Sequence, residues 1–329
     1  MSQKDNILYR EKYSYPSLRE TFRCYYLELP DCSLIKQIGI SSGLKGLIRK
    51  IAWMSCLEIL PTPVTPVWGD IIKVMRDRYD IYLRNELETK FDGVIDNDID
   101  RLYSDIEFFQ QEEVRASIKR ICKVFALQHP NVGYQQGIHE LAGIIFYAYS
   151  EYFPVEGETI IPFPEKFEPT FSILTKNGYT EHDTYITLEH LIEFMERSYL
   201  NGALGVQDQC NELFDVLKSY NINIYNRFTE LGIIPTTFGV RWLRVLFSRE
   251  YDLDNVLILW DGIFCYGKGL LLSRSIFMVL MLDASREDDS NVLMKLMKTP
   301  TSGFSDVNVL IRRSIQFIKD YGYFFKNFF

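Results

Sequence analysis

Residues 112–131 read EEVRASIKRICKVFALQHPN, and they carry a clear helical pattern. Its apolar residues recur every three or four positions, the spacing that places them on one face of a helix. They are Val114, Ile118, Ile121 and Phe125. Acidic residues stand at the start, basic residues follow, and Pro130 marks the end. The stretch therefore predicts an amphipathic helix that buries one face against the rest of the chain.

The same helical periodicity recurs along most of the sequence. It appears in residues 184–199, 204–219, 238–248, 254–264, 274–284 and 306–320. No convincing run of alternating apolar and polar residues, the pattern of a half-buried strand, accompanies these stripes. We therefore predict an all-α protein.

Two proline-rich stretches interrupt the helical pattern. The first is PTPVTPVWG at 61–69, and the second is 154–178, with Pro154, Pro162, Pro164 and Pro169. Because proline lacks a backbone N–H and breaks helix interiors, both stretches are predicted to be loops. The second loop separates an N-terminal helical half from a C-terminal one.

The composition limits the classes of function. A chain of 329 residues that is 47% apolar can bury a large core. Its 44 acidic and 36 basic residues give a net charge of -8, and no long basic run is present, so nucleic acid is not an expected partner. The six cysteines include no Cys-x-x-Cys pair, which indicates buried thiols in a reducing cytosol rather than a zinc site or a disulfide framework.

The sequence shows no feature that would send this chain into or across a membrane. Its first residues, MSQKDNILYREKY, carry charges where a signal peptide needs an apolar segment. Apolar runs such as AGIIFYAY and IFMVLML are too short to cross a bilayer. We therefore expect a soluble cytoplasmic protein without a transmembrane segment.

Two histidine–acid pairs in the sequence are candidate catalytic signals. His139-Glu140 is not followed by the second histidine of a zinc-protease motif, so that interpretation fails. His182-Asp183 leaves open a helical metal phosphohydrolase, on the evidence of two adjacent residues. The chain has no glycine-rich phosphate loop and no kinase signature. We therefore do not expect it to bind a nucleotide by itself.

Residues 95–105, IDNDIDRLYSD, place one arginine, Arg101, among several acids. These acids are Asp96, Asp98, Asp100 and Asp105. An apolar stripe of helical spacing, formed by Ile95, Ile99, Leu102 and Ile106, faces inward. On this stretch alone, the ordinary interpretation is that Arg101 makes solvated ion pairs along its own helix.

Residues 131–143, NVGYQQGIHELAG, form a turn after which the chain re-enters a helix near Gln135. Gln136 would then lie near the helix start. Gly137 would lie inside the helix, where glycine costs about 1 kcal/mol relative to alanine. Its presence predicts that another group approaches the backbone closely at this position.

Three short motifs follow one another along the chain. They are Arg49-x-x-x-Trp53, Ile95-x-x-Asp98-x-x-Arg101 and Tyr134-x-Gln136-Gly137. Together they resemble the three fingerprint motifs of the TBC domain of Rab GTPase-activating proteins. The resemblance covers about residues 38–320 and includes RWLRVLFSREY at 241–251 and VLILWDGIF at 256–264. Among TBC proteins, the sequence of these segments most resembles the member-5 subfamily.

The resemblance implies a V-shaped, all-α fold of two helical subdomains. An N-terminal extension would occupy residues 1–37. Residues 38–153 would form the N-terminal subdomain with the arginine and glutamine motifs, and residues 154–329 the C-terminal subdomain.

The resemblance also implies a GTPase activator that supplies two catalytic groups in trans. The arginine that matches Arg101 enters the active site of the GTPase, and the glutamine that matches Gln136 replaces the GTPase's own. GTP and Mg²⁺ would be carried by the partner, so the chain would need no cofactor or metal of its own. A TBC module that only binds a Rab or a scaffold, without catalysis, is the alternative.

The remaining motif residues would have supporting roles. Asp98 would hold the Arg101 guanidinium, and Tyr134 and Gly137 would shape the adjoining turn. Ile95 belongs to the inward stripe. Arg49 and Trp53, four residues apart on a predicted helix, would stabilise the N-terminal half rather than touch nucleotide.

The sequence departs from the family pattern at a few positions. Leu102 and Ser104 stand where the family commonly has threonine and proline, and Lys45 stands where an arginine is usual. The subfamily suggests a late-endosomal Rab and peripheral attachment to endosomal membranes through partners. Residues 54–94 contain no Asn-Pro-Leu triplet, the subfamily's retromer-binding signal, which argues against retromer attachment.

Overall fold

The computed structural model describes residues 18–151, 162–199, 203–267, 269–298 and 306–328. These residues form helices joined by short connections, and no β-strand occurs among them. The all-α prediction is therefore confirmed. The first 17 residues of the predicted N-terminal extension lie outside the described residues.

The helices of the N-terminal half are numbered in chain order. They are α1 (Leu18–Phe22, continued by a π-helical turn, Arg23–Leu27), α2 (Ser33–Ser42), α3 (Gly46–Cys56), α4 (Trp68–Leu83), α5 (Asp92–Arg101), α6 (Glu112–Gln128) and α7 (Ile138–Ser150). A 3₁₀ turn, Glu107–Gln110, precedes α6.

The C-terminal half begins after residues 152–161, which lie outside the described ranges. A 3₁₀ turn, Glu165–Phe167, comes first. The helices that follow are α8 (Glu168–Thr175), α9 (Thr180–Phe194), α10 (Glu196–Tyr199), α11 (Ala203–Tyr220), α12 (Ile222–Glu230), α13 (Thr236–Arg244), α14 (Leu253–Tyr266), α15 (Leu271–Ala284), α16 (Asp289–Met297) and α17 (Val307–Tyr321). A 3₁₀ turn, Gly322–Phe328, follows α17.

The stripe at 112–131 forms α6 as predicted, but two other expectations need correction. Part of the predicted loop at 154–178 is the helix α8, whose Pro169 lies in the first turn, where its missing N–H has no intrahelical acceptor to lose. The predicted helical stripe from Ile95 to Ile106 is helical only as far as Arg101, because Leu102 adopts an extended backbone with ψ of 110°. The part of the predicted loop at 154–161 lies outside the described ranges.

Helix α7 is the centre of the N-terminal half. It packs against α3, α5, α6 and α9, and almost all of its residues are buried. A helix that is apolar on nearly every side must be surrounded by other helices. The start of α7 is consequently fixed from several directions.

Helix α14 joins the two halves of the chain. It packs against α2 and α3 on one side and against α15 and α17 on the other. Trp53 of α3 lies 5.8 Å from Trp260 and 5.1 Å from Phe264, both of α14, between ring centroids. These large aromatic side chains are buried, so the two halves share one hydrophobic core.

No helix of the described ranges is both long and apolar enough to cross a bilayer. The six cysteines are free thiols, and all but Cys56 are buried.

Candidate functional site

The acids of α5 are paired with basic residues of α6. Three ion pairs run antiparallel along the two helices: Asp92–Lys123 at 2.7 Å, Asp96–Lys119 at 2.5 Å and Asp100–Arg115. Each pair is partly exposed and contributes about 0.2 to 1 kcal/mol. Two of the aspartates that flank Arg101 in sequence are thus occupied by α6, so the expectation that Arg101 pairs along its own helix is wrong.

Arg101 is the last residue of α5, and it is exposed. Its side chain makes no hydrogen bond or ion pair with any residue that the structure describes. The next residue, Leu102, is buried against α7, where a Cβ at Gly143 would lie 3.0 Å from Leu102 Cδ2. The backbone beside Arg101 is therefore anchored while the guanidinium remains in solvent.

Asp98 holds a tyrosine and not Arg101, which corrects the role predicted for it. The Tyr134 hydroxyl donates to Asp98 Oδ2 at 2.8 Å, and both residues are buried. The same hydroxyl lies 2.8 Å from His139 Nδ1. Because the tyrosine proton is directed at Asp98, the tyrosine oxygen is left to accept from His139 Nδ1–H.

Burial favours the neutral forms of Tyr134 and His139. It raises the pKa of Tyr134 far above its usual range, and the hydrogen bond to Asp98 adds to that shift. It lowers the pKa of His139, although the Asp98 charge opposes this. Tyr134 and His139 are therefore neutral at pH 7, and together with Asp98 they tie the end of α5 to the start of α7.

Two adjacent glutamines have different surroundings. The Gln135 amide donates to the carbonyl oxygens of Tyr199 and Val132, the latter at 3.3 Å. Gln136 is exposed, and its side chain makes no hydrogen bond within the described chain. Gln135 therefore anchors the turn, and Gln136 is free to reach a bound partner.

Gly137 precedes α7 and is not inside it, which corrects the predicted helix start near Gln135. Its φ of 107° lies in a region that favours glycine. A Cβ at this position would lie 2.9 Å from Val245 Cγ1. The predicted close approach is confirmed, and the approaching group is a side chain from the C-terminal half.

Arg101 and Gln136 line the same cleft, which has a volume of about 440 Å³. Asp98, Tyr103, His139, Glu140 and Arg249 are among its other lining residues. The sequence motifs predicted Arg101 and Gln136 as the chemical groups and Asp98 as a support. They did not identify Glu140 or Arg249 as part of the site.

Glu140 and Arg249 form an ion pair across the two halves of the chain. Arg249 Nε donates to Glu140 Oε2 at 2.7 Å, and the Ser248 hydroxyl donates to the other carboxylate oxygen. Glu140 is buried in the first turn of α7. An acid within the apolar helix sequence IHELAGIIF was the available signal, because a buried carboxylate requires a partner.

Arg49 and Trp53 lie in the core. Both donate to Asp261 of α14, Arg49 Nε at 3.1 Å and Trp53 Nε1 at 2.7 Å. Arg49 also contacts Glu151 at 2.9 Å. Neither residue lines the cleft, in agreement with a structural role. Their partner Asp261 belongs to the C-terminal half, which the motif alone did not indicate.

His182 and Asp183 each have polar partners in the described chain. Asp183 is fully buried and contacts Lys50 Nζ and Arg76 Nε, each at 2.7 Å. His182 Nε2 lies 3.0 Å from Asp80 Oδ1. Within the described ranges, no three histidine, cysteine or acidic side chains are grouped so that they could hold a metal ion.

A helical fold with an exposed arginine and glutamine on one cleft is the architecture expected of a TBC domain. The chain belongs to the Rab-GTPase-TBC domain family, whose model matches residues 47–288. The crystal structure of the Ypt/Rab-GAP domain of Gyp1p superimposes with a TM-score of 0.74 at 23% identity, over 92% of this chain and 97% of that one. The TBC domain of a Chlamydomonas flagellar RabGAP matches with a TM-score of 0.54 at 14% identity, over 85% of this chain and 82% of that one.

Curated proteins of the same family are also similar in sequence. Human TBC1 domain family member 5 is 26% identical over 87% of this chain and 43% of its own length. The GTPase-activating protein GYP1 of Saccharomyces cerevisiae is 30% identical over 71% of this chain and 38% of its own length. The matched regions thus span less than half the length of these relatives.

Proposed function

We propose that this protein accelerates GTP hydrolysis by a Rab GTPase and that it supplies Arg101 and Gln136 to the GTPase active site. One observation carries the proposal: Arg101 and Gln136 are exposed, make no side-chain hydrogen bond or ion pair in the described chain, and line one cleft. The named relative GYP1 is a GTPase-activating protein, which supports the same function.

Arg101 would supply the positive charge. Phosphoryl transfer develops negative charge on the transferring group and the leaving oxygen, and a preoriented cation stabilises that charge. Because Arg101 makes no ion pair with a described residue, its charge is available to a phosphoryl group. Its planar set of donors also fits phosphate oxygens better than a point charge does.

Gln136 would orient the attacking water. An amide offers both a donor and an acceptor, so it can position a water molecule in line with the phosphoryl group. The glycine turn, held by Gln135 and packed against Val245, keeps this side chain at the cleft. The GTPase would bring GTP and Mg²⁺, and the two side chains would complete its site.

The proposal extends to the partner GTPase and to the place in the cell where the protein acts. We propose a Rab of membrane traffic as the partner, with a late-endosomal Rab as the first candidate, because the sequence motifs resemble those of the member-5 subfamily. The protein would then act in the cytoplasm and at endosomal membranes through its partners. Residues 54–94 contain no Asn-Pro-Leu triplet, so retromer is not proposed as a partner.

The direct test is single-turnover GTP hydrolysis by a panel of Rabs, with this protein in catalytic amounts. We expect at least one Rab to be accelerated by about 10³-fold or more, the effect of known arginine fingers. If the protein binds GTP-loaded Rabs but accelerates none of them, it is a TBC module that only binds its partner.

A further inference from the structure

The cleft contains a second arginine, Arg249, at the end of a strained turn. Leu246 and Phe247 have φ angles of 47° and 62°, and such conformations cost non-glycine residues about 1 to 3 kcal/mol. Trp260 Nε1 donates to the Leu246 carbonyl oxygen at 2.9 Å, and Phe247 N donates to the Trp242 carbonyl oxygen at 2.8 Å. Several contacts therefore hold the turn in the shape that carries Arg249 to the cleft.

The guanidinium of Arg249 is fixed along one edge and open along the other. Its Nε is bound to the buried Glu140 carboxylate, yet 46% of the side chain is exposed. Nη1 and Nη2 have no hydrogen-bond partner among the residues that the structure describes. A guanidinium held in this way presents oriented donors to a planar anion such as a carboxylate.

The charge environment of Arg249 differs from that of Arg101. Burial opposes the charge on Arg249, but the Glu140 carboxylate raises the pKa of Arg249 above its usual value. Glu140 at the same time compensates this positive charge. Arg249 therefore offers oriented hydrogen bonds rather than a net charge, whereas Arg101 keeps the uncompensated charge that a phosphoryl group requires.

We propose that Arg249 is a docking residue that binds an acidic side chain of the GTPase, at the rim of the nucleotide site, through Nη1 and Nη2. The inference rests on the proposed function and adds a recognition role to it. A contact of this kind is made equally in the ground state and in the transition state. It therefore lowers KM and leaves kcat unchanged.

The test compares Arg249→Lys with Arg241→Lys. Lysine at 249 can still neutralise Glu140, but it lacks the two terminal donors. We expect KM for the GTP-loaded Rab to rise about tenfold, with kcat within about twofold and little change in the thermal midpoint. Arg241 also binds a buried acid through Nε, Glu250 at 2.5 Å, and does not line the cleft. Arg241→Lys should therefore keep the wild-type KM and kcat.

Two kinetic results for Arg249→Lys would overturn the inference: KM and kcat both unchanged, or an unchanged KM with a lower kcat. The second would mean that Arg249 acts on the phosphoryl group. If the wild-type protein accelerates no Rab, that result contradicts the proposed function but not the docking contact. Titration calorimetry with GTP-loaded Rab then still tests docking, since Arg249→Lys should bind about tenfold more weakly.

The acidic partner can be located by neutralising the Rab's acids one at a time. At the true partner, replacing the acid by its amide should raise KM with the wild-type protein. The same replacement should have no further effect with Arg249→Lys, because the contact is already lost. Additive effects at every acid tested would contradict a direct contact.

Discussion

At the scale of the residue, Arg101 differs from most arginines on helices because three of its four neighbouring acids are engaged elsewhere. Asp96 and Asp100 pair with α6, and Asp98 accepts from Tyr134. The sequence predicted the arginine from its motif, but it could not show which acids would remain available. That depends on how α5 and α6 pack side by side.

Replacement of Arg101 should abolish catalysis without unfolding the protein. We expect Arg101→Lys to lose about 10³-fold or more in accelerated turnover, nearly as much as Arg101→Ala, because lysine lacks the planar donor fork. The thermal midpoint should barely move, since the exposed side chain makes no hydrogen bond or ion pair in the described chain. Single-turnover hydrolysis and thermal unfolding of both variants provide the measurement. A lysine variant of near-wild-type activity would contradict the role.

Gln136 can be separated from its neighbour Gln135 by kinetics. If Gln136 orients the water, a Rab whose own catalytic glutamine is replaced by alanine should remain responsive to the wild-type protein. Gln136→Ala should abolish acceleration even of an intact Rab, with little change in the thermal midpoint. The measurement is single-turnover hydrolysis for the four combinations of intact and altered protein and Rab.

One combination of results would contradict the role proposed for Gln136. An altered Rab that ignores the wild-type protein, together with a Gln136→Ala variant that still accelerates the intact Rab, would show that water orientation comes from the GTPase. Gln135→Ala is the matched comparison, because it removes the amide that anchors the turn. It should lower the thermal midpoint, which Gln136→Ala should not.

At the scale of the element, the apolar stripes predicted about half of the helices, α5, α6, α9, α11, α13, α14, α15 and α17, whereas α2, α4, α12 and α16 have no counterpart among them. Periodicity fails where a tertiary contact ends a helix early. Leu102 keeps helical spacing with Ile99, but it leaves the helix to pack on Gly143. Gly137 has a similar explanation, since its position before α7 depends on a turn that the C-terminal half holds in place. The cleft lies at these two irregular points.

The turn before α7 should be sensitive to any side chain at Gly137. Gly137→Ala forces alanine to φ of 107° and places its Cβ 2.9 Å from Val245 Cγ1. We expect a loss of about 1 to 3 kcal/mol in the free energy of unfolding and a lower kcat, because Gln136 is displaced. Urea unfolding and single-turnover hydrolysis are the measurements.

Two other glycines serve as controls for Gly137. Gly178 also has a positive φ, 86°, but a Cβ there would meet nothing within 4 Å. Gly178→Ala should therefore show the backbone cost alone and keep the wild-type kcat. Gly93, in α5, has open space, and alanine there should be stabilising or neutral. A Gly137→Ala variant that behaves like Gly178→Ala in both measurements would contradict the role of the Val245 contact.

At the scale of the whole molecule, Asp261 connects the two halves. Its carboxylate accepts from Leu44 N at 2.7 Å as well as from Arg49 and Trp53, and it is fully buried. The sequence predicted the helices that carry these groups and their membership in one family fold. It could not predict the contact, because the residues are more than 200 positions apart.

Removal of the Asp261 charge should destabilise both halves together. Asp261→Asn removes the charge that pairs with the buried Arg49 guanidinium, and breaking a buried pair of this kind costs about 3 to 5 kcal/mol. We expect one cooperative transition at lower urea concentration, measured by tryptophan fluorescence and by circular dichroism. Asp254→Asn, an exposed position on the same helix, is the control and should match the wild type. Two separate transitions in Asp261→Asn would show that the halves unfold independently.

The contacts of Asp261 also bear on how the chain is made in the cell. Leu44, Arg49 and Trp53 are synthesised 217, 212 and 208 residues before their acceptor. At about 5 to 20 residues per second, roughly 10 to 40 seconds of translation separate α3 from α14. During that time the apolar surface of α3 that α14 covers is without its partner on the nascent chain. The N-terminal half thus reaches its final packing late in synthesis, after the ribosome has released α14.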